Sequence, residues 1–188
     1  MRPRSFNTSI TLDACDLTLT KHGKTYKLFL LVVIDSATSL ARAFPLQHGT
    51  ASDAAEALER GWFGPYGLPD VVFTDPDTMF RSSEFAKFLS QRMILLRLSA
   101  ADAPWQHGQV ENLNRMLEHR VQLIFEGGDD KLTPQDAVSS FMIARNELLD
   151  VDGVSPNMLA FGRNPRVLPL PTLLIGGFAR TLTTSWPS

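Results

Sequence analysis

Apolar positions along the chain change their period several times, and each change marks an element. Residues 9–19, "SITLDACDLTL", alternate in part and place Ile10, Leu12 and Ala14 on one side, which predicts a strand. "KHGK" (21–24) is a turn, and "YKLFLLVVID" (26–35) is continuously apolar, as expected of a central strand covered on both faces. "LARAFPL" (40–46) is a third strand ending near Pro45. The short connections predict an antiparallel meander. Then the period becomes helical. Thr50 is a candidate N-cap with Asp53 three positions on, and Ala51, Ala54, Ala55, Leu58 and Trp62 follow before "GPYGLP" (64–69) stops the run. "DVVFTD" (70–75) is a short buried strand. Ser82 caps a helix bearing Phe85, Phe88 and Leu89, and "MILLRL" (93–98) is a further strand.

"SAADAPWQHG" (99–108) reads as a loop, with Gly108 as a hinge before a helix that runs to about Phe125 and stops at Gly127–Gly128. Thr133–Pro134 opens another helix carrying Ala137, Phe141, Ala144 and Leu148 inward. This order implies an α/β fold: one five-stranded mixed sheet, its first three strands antiparallel, with helices on both faces. Residues 1–8 form an N-terminal flank, 9–150 the core, and 151–188 a largely irregular C-terminal extension.

Composition narrows the setting. With 188 residues, 44% hydrophobic and 20% charged, the chain suits a soluble domain with a sizeable core. The longest apolar run, "LFLLVVI", is too short to span a membrane, and the N-terminus has no apolar signal core. One cysteine, Cys15, gives no disulfide framework, and four scattered histidines without paired cysteines give no zinc site. An intracellular, reducing setting is expected. The net charge of −2 argues against a strongly basic stand-alone DNA binder. An enzyme that meets nucleic acid through a local patch and bound cations remains compatible with it.

The candidate chemistry lies in carboxylates. Asp75 ends the apolar run "VVFT", and Pro76 restricts it to extended geometry. Asp13 sits within the first strand, on the opposite face from Leu12. Glu111 opens the long helix, whose apolar stripe is Val110, Leu113, Leu117, Val121 and Ile124, and whose polar stripe is Glu111, Arg115, Glu118 and Gln122. Three converging carboxylates would form an oxygen-only site suited to Mg²⁺ or Mn²⁺, and so to two-metal phosphoryl transfer. Taken singly, an Asp at a strand end is more often a turn or cap residue. Asp35 fits the strand-end criterion as well as Asp75 does, and Asp16, Asp70 and Asp77 are further competitors.

Together, "TLDACDL … VVIDSATS … VVFTDPDTMF … APWQHGQVENLNRML … SPNMLAFGRNPR" resembles the catalytic core of retroviral and long-terminal-repeat retrotransposon integrases over roughly residues 9–168. That family has an RNase H-like fold and an Asp, Asp, Glu triad whose last two members are typically 35 residues apart. Here residues 76 to 110, 35 in number, lie between Asp75 and Glu111. The resemblance implies that Asp13, Asp75 and Glu111 are catalytic and hold Mg²⁺ (or Mn²⁺). It implies that Gln106, His107 and Gly108 belong to a DNA-contacting mobile loop, and that Asn114 and Arg115 meet DNA from the helix. It further implies 3′-end processing and strand transfer between element ends and target DNA, a homodimeric core, and a nuclear location when host DNA is the target. Hydrophobic anchoring is the simplest role for Trp105.

The sequence departs from the family in three respects. Asp75–Pro76–Asp77 stands where Asp-Asn-Gly is frequent. Arg115 and Glu118 replace lysines on the helix. The family's zinc-binding and C-terminal DNA-binding domains lie outside these 188 residues, as expected of a core or a polyprotein fragment. A related DDE transposase, an RNase H-like nuclease, or a domesticated inactive binding or dimerisation module are the rival readings. The "SPNMLAFGRNPR" run favours the retrotransposon type over the first two, and the intact triad argues against the third.

Overall fold

The computed structural model describes residues 5–98, 104–149, 151 and 153–164, with only the backbone described for 104–107. Five strands, β1 (Ser9–Lys21), β2 (Lys24–Asp35), β3 (Ala41–Leu46), β4 (Val71–Thr74) and β5 (Leu95–Leu98), form one sheet in the order β3-β2-β1-β4-β5. β1, β2 and β3 pair antiparallel, whereas β1–β4 and β4–β5 pair parallel. The sheet is therefore mixed, as the element order predicts, and the short strands β4 and β5 are reached through helices.

Strand alternation sends two sets of side chains to opposite faces. Ile10, Leu12, Leu31, Val33 and Val72 pack with Leu58, Trp62, Phe80, Phe85 and Leu89 from α1 (Ala51–Leu58), its continuation and the helices after β4. Cys15, Leu17, Leu19, Leu30, Val32 and Ile34 pack with Val110, Leu113, Leu117, Val121 and Phe125, and with Ala137 and Phe141. The second layer consists of α5 (Pro104–Gly127) and α6 (Pro134–Leu148). α1 opens with the expected capping box between Thr50 and Asp53. It then widens into one π-helical turn, Glu59–Phe63, that buries both Trp62 and Phe63, and ends in the short α2 (Gly64–Tyr66). α6 opens with a second capping box, Thr133 with Asp136, and Ser82 caps α4 (Ser83–Ser90) as expected.

Two side-chain amides fasten the second layer to the sheet by imitating a strand. Gln122 of α5 accepts from the Thr20 amide at 2.9 Å and donates to its carbonyl at 2.8 Å. Asn146 of α6 accepts from the Ala41 amide at 3.0 Å and donates to its carbonyl at 2.8 Å. Thr20 lies on the part of β1 that outruns β4, and Ala41 lies on edge strand β3. Backbone groups that would otherwise recruit another strand are thereby satisfied. Pro45, which has no amide to offer, sits on the same edge strand.

Three expectations are corrected. α5 begins at Pro104, so Gly108 lies inside the helix rather than in a loop or at a hinge. Proline favours a first helical turn, and the roughly 1 kcal/mol cost of a helical glycine is small beside the apolar stripe that the helix buries. Of the expected loop, 99–103 lie outside the described residues. A short α3 (Thr78–Arg81) stands where no element was expected, with Asp77 as its N-cap accepting from the Met79 amide at 2.9 Å. Within the extension, α7 (Pro156–Phe161) is helical: Ser155 caps it, proline opens it, and Gly162 at φ 71° closes it. Residues 165–188 lie outside the described residues.

Candidate active site

Asp13 points to the α5 side of the sheet, sharing the parity of Cys15 and Leu17. It is half-buried. Its Oδ1 accepts from the Ala14 amide at 2.9 Å, and its Oδ2 accepts from the Asn114 side-chain amide of α5. The parallel register pairs Leu12 with Thr74. Asp75 follows directly after the last residue of β4, so one further step of the same register puts its backbone opposite Asp13. Neighbouring strands lie about 4.8 Å apart, so this register puts two acidic residues on adjacent backbones. They stand where parallel β4 ends, which is where open α/β sheets gather ligands.

Glu111 lies one helical turn before Asn114 and is exposed. The buried residues Val110, Leu113 and Leu117 fix the rotation of the helix, so Glu111 and Asn114 lie on the flank of α5 that borders Asp13. The three predicted ligands do not close into one cluster. Among the described residues, no three carboxylate, histidine or cysteine side chains come together closely enough to hold a metal ion. The β1–β4 register puts Asp75 one step beyond the Leu12–Thr74 pair, next to Asp13 in β1, and Glu111 stands on α5 one turn before the Asn114 that bonds Asp13.

The surroundings suit a divalent cation. The Cys15 thiol, two residues from Asp13 on the same face, is pushed up to about 11, first by burial and then by the charges of Asp13, Glu118 and Asp16. It is therefore a neutral thiol at pH 7. The same shift registers a local excess of negative charge. An all-oxygen donor set in such a field fits Mg²⁺ or Mn²⁺.

The other predicted site residues are placed as follows. Asn114 sits on Asp13, a contact that the i, i+3 spacing from Glu111 would have allowed one to anticipate. Arg115 is exposed and bonds Asn112 Oδ1 at 2.8 Å, so its guanidinium lies along the outer side of α5. Gly108 is exposed, and a Cβ there would meet nothing within 4 Å. Gln106 and His107 lie in the first turn of α5, and their side chains, like that of Trp105, fall outside the described residues.

The competing aspartates are accounted for. Asp16 is exposed and has the opposite parity to Asp13. Asp77 is a helix cap, and Asp70 is an exposed residue just before β4. Asp35 is fully buried, and its carboxylate accepts from the amides of Asn7, Ala37 and Thr38 and from the Thr38 hydroxyl at 2.7–3.2 Å. Sequence reasoning left this structural role open.

Sheet order, register and helix placement define an RNase H-like α/β core with two carboxylates at the end of its central parallel strands. Solved structures that share this fold include retroviral integrase cores. The catalytic core domain of HTLV-2 integrase in complex with magnesium superposes with a TM-score of 0.68 at 19% identity, covering 84% of this chain and 99% of that one. An integrase chain of the simian T-cell lymphotropic virus intasome, solved with a PP2A regulatory subunit, gives 0.70 at 22% identity over 99% of this chain and 63% of that one. No protein-family model matches the chain.

In sequence, the chain is 33% identical over 114 residues to the Gag-Pol polyprotein of feline leukemia virus, covering 60% of this chain and 7% of that one. It is 27% identical over 161 residues to that of avian reticuloendotheliosis virus, covering 84% and 13%. The chain spans less than a fifth of these polyproteins. The chain is thus similar in sequence to segments of retroviral Gag-Pol polyproteins and shares its fold with retroviral integrase catalytic cores.

Proposed function

We propose that this chain is a divalent-metal-dependent polynucleotidyl transferase that processes the 3′ ends of an element's DNA and joins them to target DNA. The observation that supports the reading is the parallel register of β1 against β4, whose next step would set Asp75 opposite Asp13 on the strand that faces α5. Asp13, Asp75 and Glu111 would hold Mg²⁺ or Mn²⁺. When bound, the metal supplies activation of an attacking oxygen and stabilisation of a leaving one. The chain's own part is to hold the carboxylates. The Ala14 and Asn114 amides orient Asp13, and buried Leu113 and Leu117 carry the flank bearing Glu111. Asn114, Arg115, Gln106, His107 and Gly108, all on the first three turns of α5, would line the DNA path. DNA ends and target DNA are the partners, a second copy of the core is the expected neighbour, and host DNA as target places the reaction in the nucleus. The solved relatives support this, since HTLV-2 cores were determined with magnesium in dimeric and trimeric forms.

The test is nicking and joining of a labelled oligonucleotide duplex with Mg²⁺ or Mn²⁺. Activity should vanish on chelation and return on adding metal. Activity that survives EDTA contradicts the reading.

A further inference from the structure

The turn between β2 and β3 is polar and yet buried: Asp35, Ser36, Thr38 and Ser39 are all less than a tenth exposed. Asp35 fixes its shape by accepting from Ala37 and Thr38. The Ser39 amide bonds the Asp35 carbonyl at 3.0 Å, and Ser39 takes the left-handed conformation at φ 61°. Both polar atoms of Ser39 are thereby aimed at the second helical layer. Its carbonyl accepts from Arg145 Nη1 of α6 at 2.7 Å, and its hydroxyl meets the side-chain amide of Gln109, in α5, at 3.5 Å.

Arg145 is an unusual residue for an interior. It is 8% exposed, and among the described residues no carboxylate lies within ion-pair distance and Nε has no partner. A buried guanidinium without a counter-ion costs stability, and its replacement by an apolar side chain of similar size is often neutral or stabilising. Its Nη1 is spent on the Ser39 carbonyl and on Asn146 Oδ1, which ties its position to that turn.

We propose that Arg145 and Ser39 are positioning residues for the metal site, clamping the first turns of α5 so that Glu111 is held within reach of Asp13 and Asp75. The inference rests on the proposed function for its reaction, but the clamp itself is a matter of geometry. Gln109 lies two residues before Glu111 and Asn114 three residues after it. Gln109 is tied to Ser39 and Asn114 to Asp13. At about 100° per residue, these two tethers fix the rotation of the turn between them, and with it the direction in which Glu111 projects. Arg145 acts through Ser39: it holds the carbonyl of the residue whose hydroxyl receives Gln109, and it bonds Asn146 Oδ1 at 3.1 Å, the atom that also caps β3 at Ala41. The clamp therefore ties α5, α6 and the sheet edge together at one buried point.

Two variants test it, Arg145→Met and Ser39→Gly. Glycine is at ease at positive φ and keeps the carbonyl that Arg145 needs, so the second variant removes the CH2OH group, and with it the hydroxyl, without straining the turn. Amide hydrogen exchange of the folded protein should quicken in residues 108–114 in both variants, while 117–125 of the same helix and the sheet stay at wild-type rates. The Mn²⁺ concentration for half-maximal DNA cleavage should rise on the order of fivefold, the effect of about one neutral hydrogen bond. The double variant should exceed Arg145→Met by little, since the residues act in series. Unchanged exchange at 108–114 in folded Ser39→Gly overturns the proposal, as does an unchanged Mn²⁺ requirement in active variants. Acceleration spread evenly over α6 and the sheet overturns it too, because that is general destabilisation. A wild-type protein with no metal-dependent cleavage sinks the proposed function, and the exchange result then still decides whether the clamp exists.

Discussion

Asp35 and Asp13 each sit in a central strand on the same sheet, and the protein treats them in opposite ways. Asp35 is buried completely and surrounded by donors: three backbone amides and a hydroxyl converge on its carboxylate. Asp13 is half-buried, receives one backbone amide and one side-chain amide, and has a second carboxylate placed beside it by strand register. The first arrangement satisfies a charge. The second concentrates charge where the fold gains nothing from it, which is the usual mark of a site kept for chemistry. The same residue type in two neighbouring strands is thus saturated with donors in one and left with few in the other.

The largest effect should come from the acidic side. Glu111→Gln and Asp13→Asn should each lower metal-dependent cleavage by at least ~100-fold while leaving the fold intact, because the helix is held by Leu113, Leu117 and Val121. In EDTA, Asp13→Asn should melt at or above the wild-type temperature, since it relieves repulsion with Asp75 and keeps an oxygen for Asn114. A clear drop in melting temperature would place Asp13 with Asp35, as a structural acid.

Next in size is Asp35→Ala, which strands buried donors and should cost about 3 kcal/mol in urea unfolding. A loss below ~1 kcal/mol would dissolve the contrast from the other side. The pH dependence sharpens it. Burial foremost raises the Asp35 carboxyl above its usual range, against the opposing bonds from Thr38, Asn7 and Ala37. A raised folded value means that the native state binds the proton more readily than the unfolded chain. The contribution of Asp35 is thus fully present below the unfolded value near ~4 and is lost as pH rises through the folded one. Thermal melts should show wild type losing stability relative to Asp35→Asn across that window. A flat difference would mean that the donors, rather than burial, set the ionisation of Asp35.

The smallest effect should come from Asp16→Asn. Asp16 is exposed and of opposite parity to Asp13. Its loss should leave cleavage within about twofold of wild type, since exposed surface changes away from a site are usually near neutral. If Asp16→Asn is dead and Asp13→Asn active, the strand register is wrong by an odd number of residues.

Most of the fold was legible because its signals are local. Period-two runs, the Thr50–Asp53 and Thr133–Pro134 starts and the Gly127–Gly128 stop each name an element within a few residues. α7 was overlooked although Ser155, Pro156 and Gly162 mark it, since six residues carry too short a pattern to stand out from a proline-rich tail. The start of α5 was misplaced because Gly108 is as compatible with a loop as with an exposed helical position. In the site, parity separated Asp13 from Leu12, but the pairing of Asp13 with Asp75 depends on the register of two strands far apart in sequence. The burial of Asp35 depends on Asn7 and on packing from two layers, and no local pattern encodes it.

The central claim is that Asp13, Asp75 and Glu111 hold a divalent ion. It is met most directly by a crystal of the protein soaked in Mn²⁺, with the ion located by its anomalous scattering. The account predicts Mn²⁺ bound at Asp13 and Asp75, with Glu111 of α5 as the third carboxylate on the ion. Mn²⁺ seated elsewhere, or a fully soaked crystal with no ion at these carboxylates, would contradict it.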